Sequence, residues 1–125
     1  MSSVIFSSSY DEKYPPENIL NENSKSFFTG TGMFPQEICI QFDQNRQINS
    51  LNLKGYGIKK IRIETCENDS VVNFKKQVEQ SEIPAGNGLQ NIKLNLTKPA
   101  NVKVLKIEVL EGHEDFFSIH NLAIL

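Results

Sequence analysis

The chain of 125 residues is long enough for one domain with its own hydrophobic core and too short for two. Its formal net charge of −2 argues against a nucleic-acid-binding domain, because such domains usually carry a strong basic excess. The N-terminus lacks the positive and apolar regions of a signal peptide, and no segment reaches the roughly 18 apolar residues of a membrane span. We therefore expect an intracellular protein with no membrane span.

A long polar segment, PPENILNENSKSFFTGTG, occupies residues 15–32. Its two prolines favour an extended start, and residues 17–20 have room for a single helical turn. Closely spaced side-chain oxygens, the ligand type that Ca²⁺ requires, come from Asn21, Asn23, Ser24 and Ser26. Because the same residue types form Asx-turns and caps in ordinary loops, the composition leaves both a calcium site and simple loop structure open.

The aromatic pair Phe27–Phe28 lies near the end of this segment. If the chain is extended there, only one of the two rings can face the core, and the other is free to anchor a ligand or a partner. If the chain bends, both rings are buried.

Short segments with a period of two follow along most of the chain. In each of them apolar side chains alternate with polar ones, which is the pattern of half-buried antiparallel strands. Turn-forming residues recur about every 10 residues, a spacing typical of β-sandwiches and barrels. The residues predicted to face the core are Ile38, Ile40, Phe42, Leu51, Leu53, Ile61, Ile63, Ile92, Leu94 and Leu96.

Two segments depart from simple alternation. In NVKVLKIEVLEG the apolar residues change face midway, from Val102 and Val104 to Leu105, Ile107 and Val109. This change predicts either a bulge or a central strand that is buried on both sides. Residues 71–82 have apolar side chains at helical spacing but fit an extended strand equally well, and we favour the extended structure.

The segment GHEDFFSIHN contains both histidines of the chain, His113 and His120, together with Glu114 and Asp115. Such a cluster suits zinc binding or acid–base chemistry. Its spacing matches no compact metal motif, so we favour ordinary loop structure.

Other reactive or charged residues also fit structural roles. Cys39 and Cys66 are predicted to be free thiols in the core, and Lys59, Lys60 and Arg62 are predicted to lie on a solvated strand face. The chain has no nucleophile elbow, phosphate-binding loop or dinucleotide-binding motif. We therefore predict no catalytic residues, no cofactor-binding residues and no enzyme activity.

The motif DEKYPPENI, followed by a polar turn, an aromatic pair and TGMFPQE, spans residues 11–37. This block and the later FFSIHN resemble a family of discoidin-like subunits of intraflagellar transport complex B, also labelled small heat-shock-like proteins. The resemblance covers the whole chain. It implies an all-β fold with one domain over residues 1–125, an antiparallel β-sandwich of the jelly-roll, galactose-binding or discoidin-like type.

The resemblance also implies a function. It predicts a non-enzymatic interaction subunit that forms a stable heterodimer with a Rab-like small GTPase, beside other complex B subunits, in the cilium or flagellum and the cytoplasm. Candidate anchors for such a partner are Phe34, Phe116 and Phe117, although phenylalanines of this kind lie more often in the core than at an interface. The alternative is a carbohydrate-binding module. The chain has no tryptophan to stack on a sugar, but Tyr10 and Tyr14 flank the polar segment.

The family pattern carries a calcium site in the polar segment, and its matching positions here are Asn18, Asn21 and Ser26. Asn18 agrees with the pattern. Asn21 stands where an aspartate is expected, which removes a negative charge from the ligand set, and Ser26 replaces a threonine. We therefore expect Ca²⁺ to bind weakly or not at all.

Overall fold

Seven β-strands and one short 3₁₀ helix make up the regular structure in the computed structural model, which describes residues 2–9, 13–20, 27–31, 33–68, 73–86 and 88–125. The 3₁₀ helix, Pro16–Leu20, lies between the first two strands. The strands are β1 (Ser2–Ser7), β2 (Phe28–Thr31), β3 (Gln36–Tyr56), β4 (Ile58–Cys66), β5 (Lys75–Gln80), β6 (Gln90–Gly112) and β7 (Phe116–Ile124).

The strands form two antiparallel layers because β3 and β6 are long enough to run through both. The hydrogen-bonded order is β2-β7-β3-β6-β4-β5, with β1 added on β3. In the first layer, residues 36–41 of β3 and 104–109 of β6 pair with each other and join β1, β4 and β5. In the second layer, residues 50–55 of β3 and 90–95 of β6 pair beside β7 and β2. Register shifts midway along the β3–β6 pairing mark the bend between the layers, and the predicted antiparallel β-sandwich is confirmed.

The core between the layers contains every residue that the alternating pattern predicts to face inward. Apolar side chains of successive strands meet there because period-two alternation places them all on one side of a strand. The buried set predicted from the sequence is Ile38, Ile40, Phe42, Leu51, Leu53, Ile61, Ile63, Ile92, Leu94 and Leu96.

The segment with the change of phase is a central strand buried on both faces. Its apolar residues from Val102 to Val109 are all buried, and four of them pack in the main core. Val104 faces away from the main core and packs with Cys39, Cys66 and the half-buried Phe74 in a small second cluster. Both cysteines are free and buried, as predicted, and burial raises the pKa of the Cys39 thiol.

Local structure in the other ambiguous segments is also resolved. The 3₁₀ helix confirms the single helical turn after the prolines, and Ile19 anchors it in the core. Phe28 is buried, whereas Phe27 is half-buried and stacks on Tyr14, so the extended alternative holds for this pair. Residues 75–80 are a strand, which confirms the extended structure over that part of the segment 71–82.

Candidate interaction surface

Three connections between the two layers meet at one end of the sandwich. They run from β2 to β3, from β3 to β4 and from β6 to β7. Gly57 forms the tight β3–β4 turn with φ of +75°, and a Cβ atom there would lie 2.8 Å from the carbonyl oxygen of Phe116. The carbonyl of Gly57 accepts a hydrogen bond from the backbone N–H of His113 at 3.0 Å, so the last two turns hold each other in place.

The pair Phe116–Phe117 divides its two rings between this surface and the core. Phe117 is fully buried and packs against Phe28 and Phe34, with ring centroids 5.8 and 5.9 Å away. Phe116 points outward, is 42% exposed and stacks on Tyr56 with centroids 5.7 Å apart. The alternation of a strand explains the division, since neighbouring side chains of β7 must face opposite sides.

Two further apolar side chains are exposed at the same end. Met33, in the β2–β3 connection, is 80% exposed, and its carbonyl oxygen accepts a 2.7 Å hydrogen bond from Gln36 Nε2. Leu89 is 50% exposed and directly precedes Gln90, the residue that pairs with Gly55 at the end of β3. We call the set Met33, Tyr56, Leu89 and Phe116 the apolar end surface.

The apolar end surface has the composition of a protein interface. Aromatic residues and methionine are enriched at the centres of interfaces, and a few such anchors carry most of the binding free energy. The Tyr56 hydroxyl donates to Glu114 Oε1 at 3.4 Å, which leaves a polar group at the edge of the apolar contact area. The arrangement suits a protein partner that inserts apolar groups beside the Tyr56–Phe116 stack.

Of the three predicted anchors, the structure places one on this surface. Phe116 is exposed, Phe117 lies in the core, and Phe34 is half-buried against the core. The prediction is therefore wrong for Phe117, and for Phe34 it stays a prediction. Strand alternation could have signalled that one ring of Phe116–Phe117 faces outward, but not which one. No sequence signal distinguishes Met33 or Leu89 from a core residue.

The predicted calcium residues are only partly described, because Asn21 and Ser26 lie outside the described residues. Asn18 donates from Nδ2 to the carbonyl oxygen of Phe27 at 2.8 Å and so joins the two ends of the polar segment. Its backbone N–H bonds the carbonyl of Pro15 at 3.0 Å. Within the described ranges, no three His, Cys, Asp or Glu side chains are grouped so as to hold a metal ion. The expectation of weak or absent Ca²⁺ binding stays a prediction.

The two histidines take part in separate structural contacts. His113 Nε2 donates to the carbonyl oxygen of Ile83 at 2.6 Å. His120 stacks on Phe27 with centroids 4.7 Å apart, is hydrogen-bonded to the Ser118 hydroxyl at 3.0 Å, and has its pKa lowered by burial. The structure thus agrees with ordinary loop and strand contacts rather than with a shared catalytic or zinc site.

Two of the three basic residues of β4, Lys60 and Arg62, are paired with acids of neighbouring strands. Arg62 Nη2 lies 2.7 Å from Glu108 Oε2, and Glu108 is only 3% exposed. Lys60 is 4.0 Å from both Glu79 and Glu111. These ion pairs support the prediction of a strand face rather than a phosphate site.

Comparison with known proteins gives relatives of two kinds. The XRCC1 N terminal domain family matches residues 1–106. The mouse intraflagellar transport protein 25 homolog is 32% identical over 120 residues, which are 96% of this chain and 83% of the relative. The human homolog is 32% identical over 122 residues, which are 98% of this chain and 84% of the relative.

Solved structures with the same fold include modules that bind sugars. The family 32 CBM of Clostridium perfringens NanJ, in complex with galactose, has a TM-score of 0.79 at 17% identity and covers 99% of this chain and 98% of its own. The C-terminal domain of a Bacteroides fragilis chitobiase has a TM-score of 0.81 at 16% identity, over 99% and 92% of the two chains. Such identities show the fold alone, a jelly-roll sandwich, so the carbohydrate hypothesis rests on the fold.

The carbohydrate hypothesis named two tyrosines beside the polar segment. Tyr10 lies outside the described residues, and Tyr14 has one ring face stacked on Phe27. No helix among the described residues is long and apolar enough to cross a membrane.

Proposed function

Because the chain belongs to the intraflagellar transport protein 25 family and matches the XRCC1 N terminal domain family, we propose that it is a non-enzymatic interaction subunit of the intraflagellar transport B particle. Its partners are a Rab-like small GTPase, with which it forms a stable heterodimer, and other subunits of the particle. Its locations are the cilium or flagellum and the cytoplasm. The names of the curated relatives support the transport role.

The observation that carries the choice of partner surface is the exposure of Phe116, which stacks on Tyr56. A 42% exposed phenylalanine stacked on a tyrosine offers a rigid apolar anchor that loses little conformational entropy on binding. Phe117 packs against the buried Phe28 and the half-buried Phe34 and so holds β7 in place, which forms the surface before a partner arrives. We assign the GTPase to this apolar end surface.

The test is co-purification with the Rab-like GTPase of the same transport particle, followed by titration calorimetry. Phe116→Ser is compared with Phe6→Ser, a matched control because Phe6 is 44% exposed on β1, in the other layer. Loss of a central anchor typically costs about 2 kcal/mol or more, so Phe116→Ser should raise Kd roughly 30-fold. Phe6→Ser should leave Kd within about twofold, since a change outside the interface removes no contact with the partner.

The possible outcomes test the heterodimer and the position of its interface separately. Failure of the unmodified chain to co-elute with the GTPase would sink the proposed heterodimer. Loss of binding in Phe6→Ser with retention in Phe116→Ser would keep the heterodimer and move its interface to β1. Thermal unfolding of both variants shows whether either change acts through the fold instead.

We also infer that Ca²⁺ binds weakly or not at all at the polar segment. The side-chain amide of Asn18 is bonded to the Phe27 carbonyl. The candidate ligands Asn18, Asn21 and Ser26 are all neutral, whereas strong calcium sites use anionic carboxylates.

A further inference from the structure

A groove of about 770 Å³ lies at the opposite end of the sandwich from the apolar end surface. It is bounded on one side by the end of β4 and the start of β5, and on the other by residues 97–101, where β6 bends between the layers. Three lysines line it, Lys75 and Lys76 on β5 and Lys98 on β6. Glu67 is the one acidic residue among the described lining residues.

These three lysines differ from three other cations of the same layer. Lys60, Arg62 and Lys106 each lie within 4.0 Å of at least one carboxylate. No carboxylate of the described residues comes within that distance of Lys75, Lys76 or Lys98. The groove therefore concentrates unpaired positive charge on a chain whose net charge is −2. Charges that line one groove are only partly screened from each other, because the Debye length is about 8 Å at physiological salt.

Protection of an edge strand explains only part of this arrangement. Among the described residues, β5 pairs with β4 alone, and lysines on such an edge discourage pairing with other chains. That explanation covers Lys75 and Lys76. Among the described pairings, Lys98 lies on a stretch of β6 that pairs with neither β3 nor β4, so edge protection explains this lysine as well. Edge protection does not require that lysines from two separate strands line one groove, and their convergence there favours an anionic ligand.

We propose that this groove binds an extended acidic segment of a protein partner. The side-chain amides of Asn73 and Asn101 also line the groove and can bond the backbone of such a segment. No aromatic side chain or arginine is among the described lining residues, so the groove lacks the stacking surfaces and planar phosphate clamps that nucleic acids use. Single ammonium groups spread over two strands match carboxylates that are spaced along a peptide. The proposal is independent of the GTPase surface at the other end.

The test uses a fluorescently labelled hexaglutamate peptide as the probe and a hexaglutamine peptide of the same length as its neutral counterpart. The double variant Lys76→Gln/Lys98→Gln is compared with Lys54→Gln/Lys93→Gln. The control pair removes the same charge from exposed lysines of the second layer, outside the groove. Each ion pair lost in the groove should weaken binding about two- to fivefold, so the groove variant should bind about four- to 25-fold more weakly. The control should change affinity less than about twofold, because its charges do not line the groove.

The outcomes decide the proposal. Support requires that hexaglutamate binds better than hexaglutamine, that raised salt weakens its binding, and that the groove variant alone loses affinity. Phe116→Ser should bind hexaglutamate like the unmodified chain. Equal losses in the two double variants would show non-specific attraction and overturn the proposal. If a single-stranded oligothymidine binds more tightly than hexaglutamate, and the groove variant loses that binding, the proposal would be overturned in favour of a nucleic-acid ligand.

Discussion

Gly30 is the position at which a single added methyl group should most disturb the core beneath the apolar end surface. Gly30 in β2 pairs with Phe117 in β7. A Cβ atom at Gly30 would lie 2.3 Å from both Cε1 and Cζ of Phe117, whereas carbon atoms pack best at roughly 3.5–4.0 Å. The Phe117 ring cannot simply move away, because it is fully buried and packs against Phe28 and Phe34.

The expected cost of Gly30→Ala follows from two opposing effects. Overpacking a close-packed core costs about 1–3 kcal/mol, and the overlap here places the cost in the upper part of that range. Replacing glycine by alanine regains about 0.4–1 kcal/mol by restricting the unfolded chain. The net loss of unfolding free energy is therefore about 1–2 kcal/mol. For a chain of this length each kcal/mol shifts Tm by roughly 4 °C, so Tm should fall by roughly 4–8 °C.

The assay is urea and thermal unfolding of Gly30→Ala, Phe117→Leu and the double variant. Leucine removes the ring atoms that the new methyl group would meet, and the methyl group then fills part of the space they leave. In the Phe117→Leu background, Gly30→Ala should therefore be neutral or stabilising, with a coupling free energy of about 1 kcal/mol or more. An unchanged Tm in Gly30→Ala, or strict additivity in the double variant, would refute the packing argument.

Three other predictions concern charge and ions. Arg62→Leu leaves the buried Glu108 carboxylate with Lys106, at 3.7 Å, as its one remaining cation among the described residues. The unfolding free energy measured in urea should therefore fall by about 2 kcal/mol, against less than about 1 kcal/mol for Lys60→Leu. Burial lowers the pKa of His120, so the unfolded chain binds a proton at this residue more readily than the folded chain does. The free energy of unfolding should therefore fall as the pH drops below about 6.5. His120→Gln should reduce this pH dependence in thermal scans from about pH 5 to 7. Chelator and excess Ca²⁺ should give nearly the same Tm, whereas Ca²⁺ bound at 100 times its Kd would add about 2.7 kcal/mol and contradict the inference of weak or absent binding.

The sequence alone determined the strands and the faces they bury. Alternation is a local property of an extended chain, so EICIQF and NIKLNL could be assigned to half-buried strands without knowledge of their partners. The same local reasoning predicted the short helical turn after Pro15–Pro16 and the extended structure over residues 75–80. The family motif at residues 11–37 added the jelly-roll sandwich, which the layers of β3 and β6 confirm.

Only the tertiary structure decided which polar and apolar residues are available to partners. Alternation allowed either ring of Phe116–Phe117 to face the core, and the pairing of Phe117 with Gly30 settled the choice, because only a residue without a side chain leaves room for that ring. The same holds for charge. Arg62 is neutralised by Glu108, 46 residues away, while Lys98 lies at the groove with no carboxylate of the described residues within 4.0 Å. Exposure and ion pairing depend on distances between strands far apart in the chain, and local patterns carry no information about those distances.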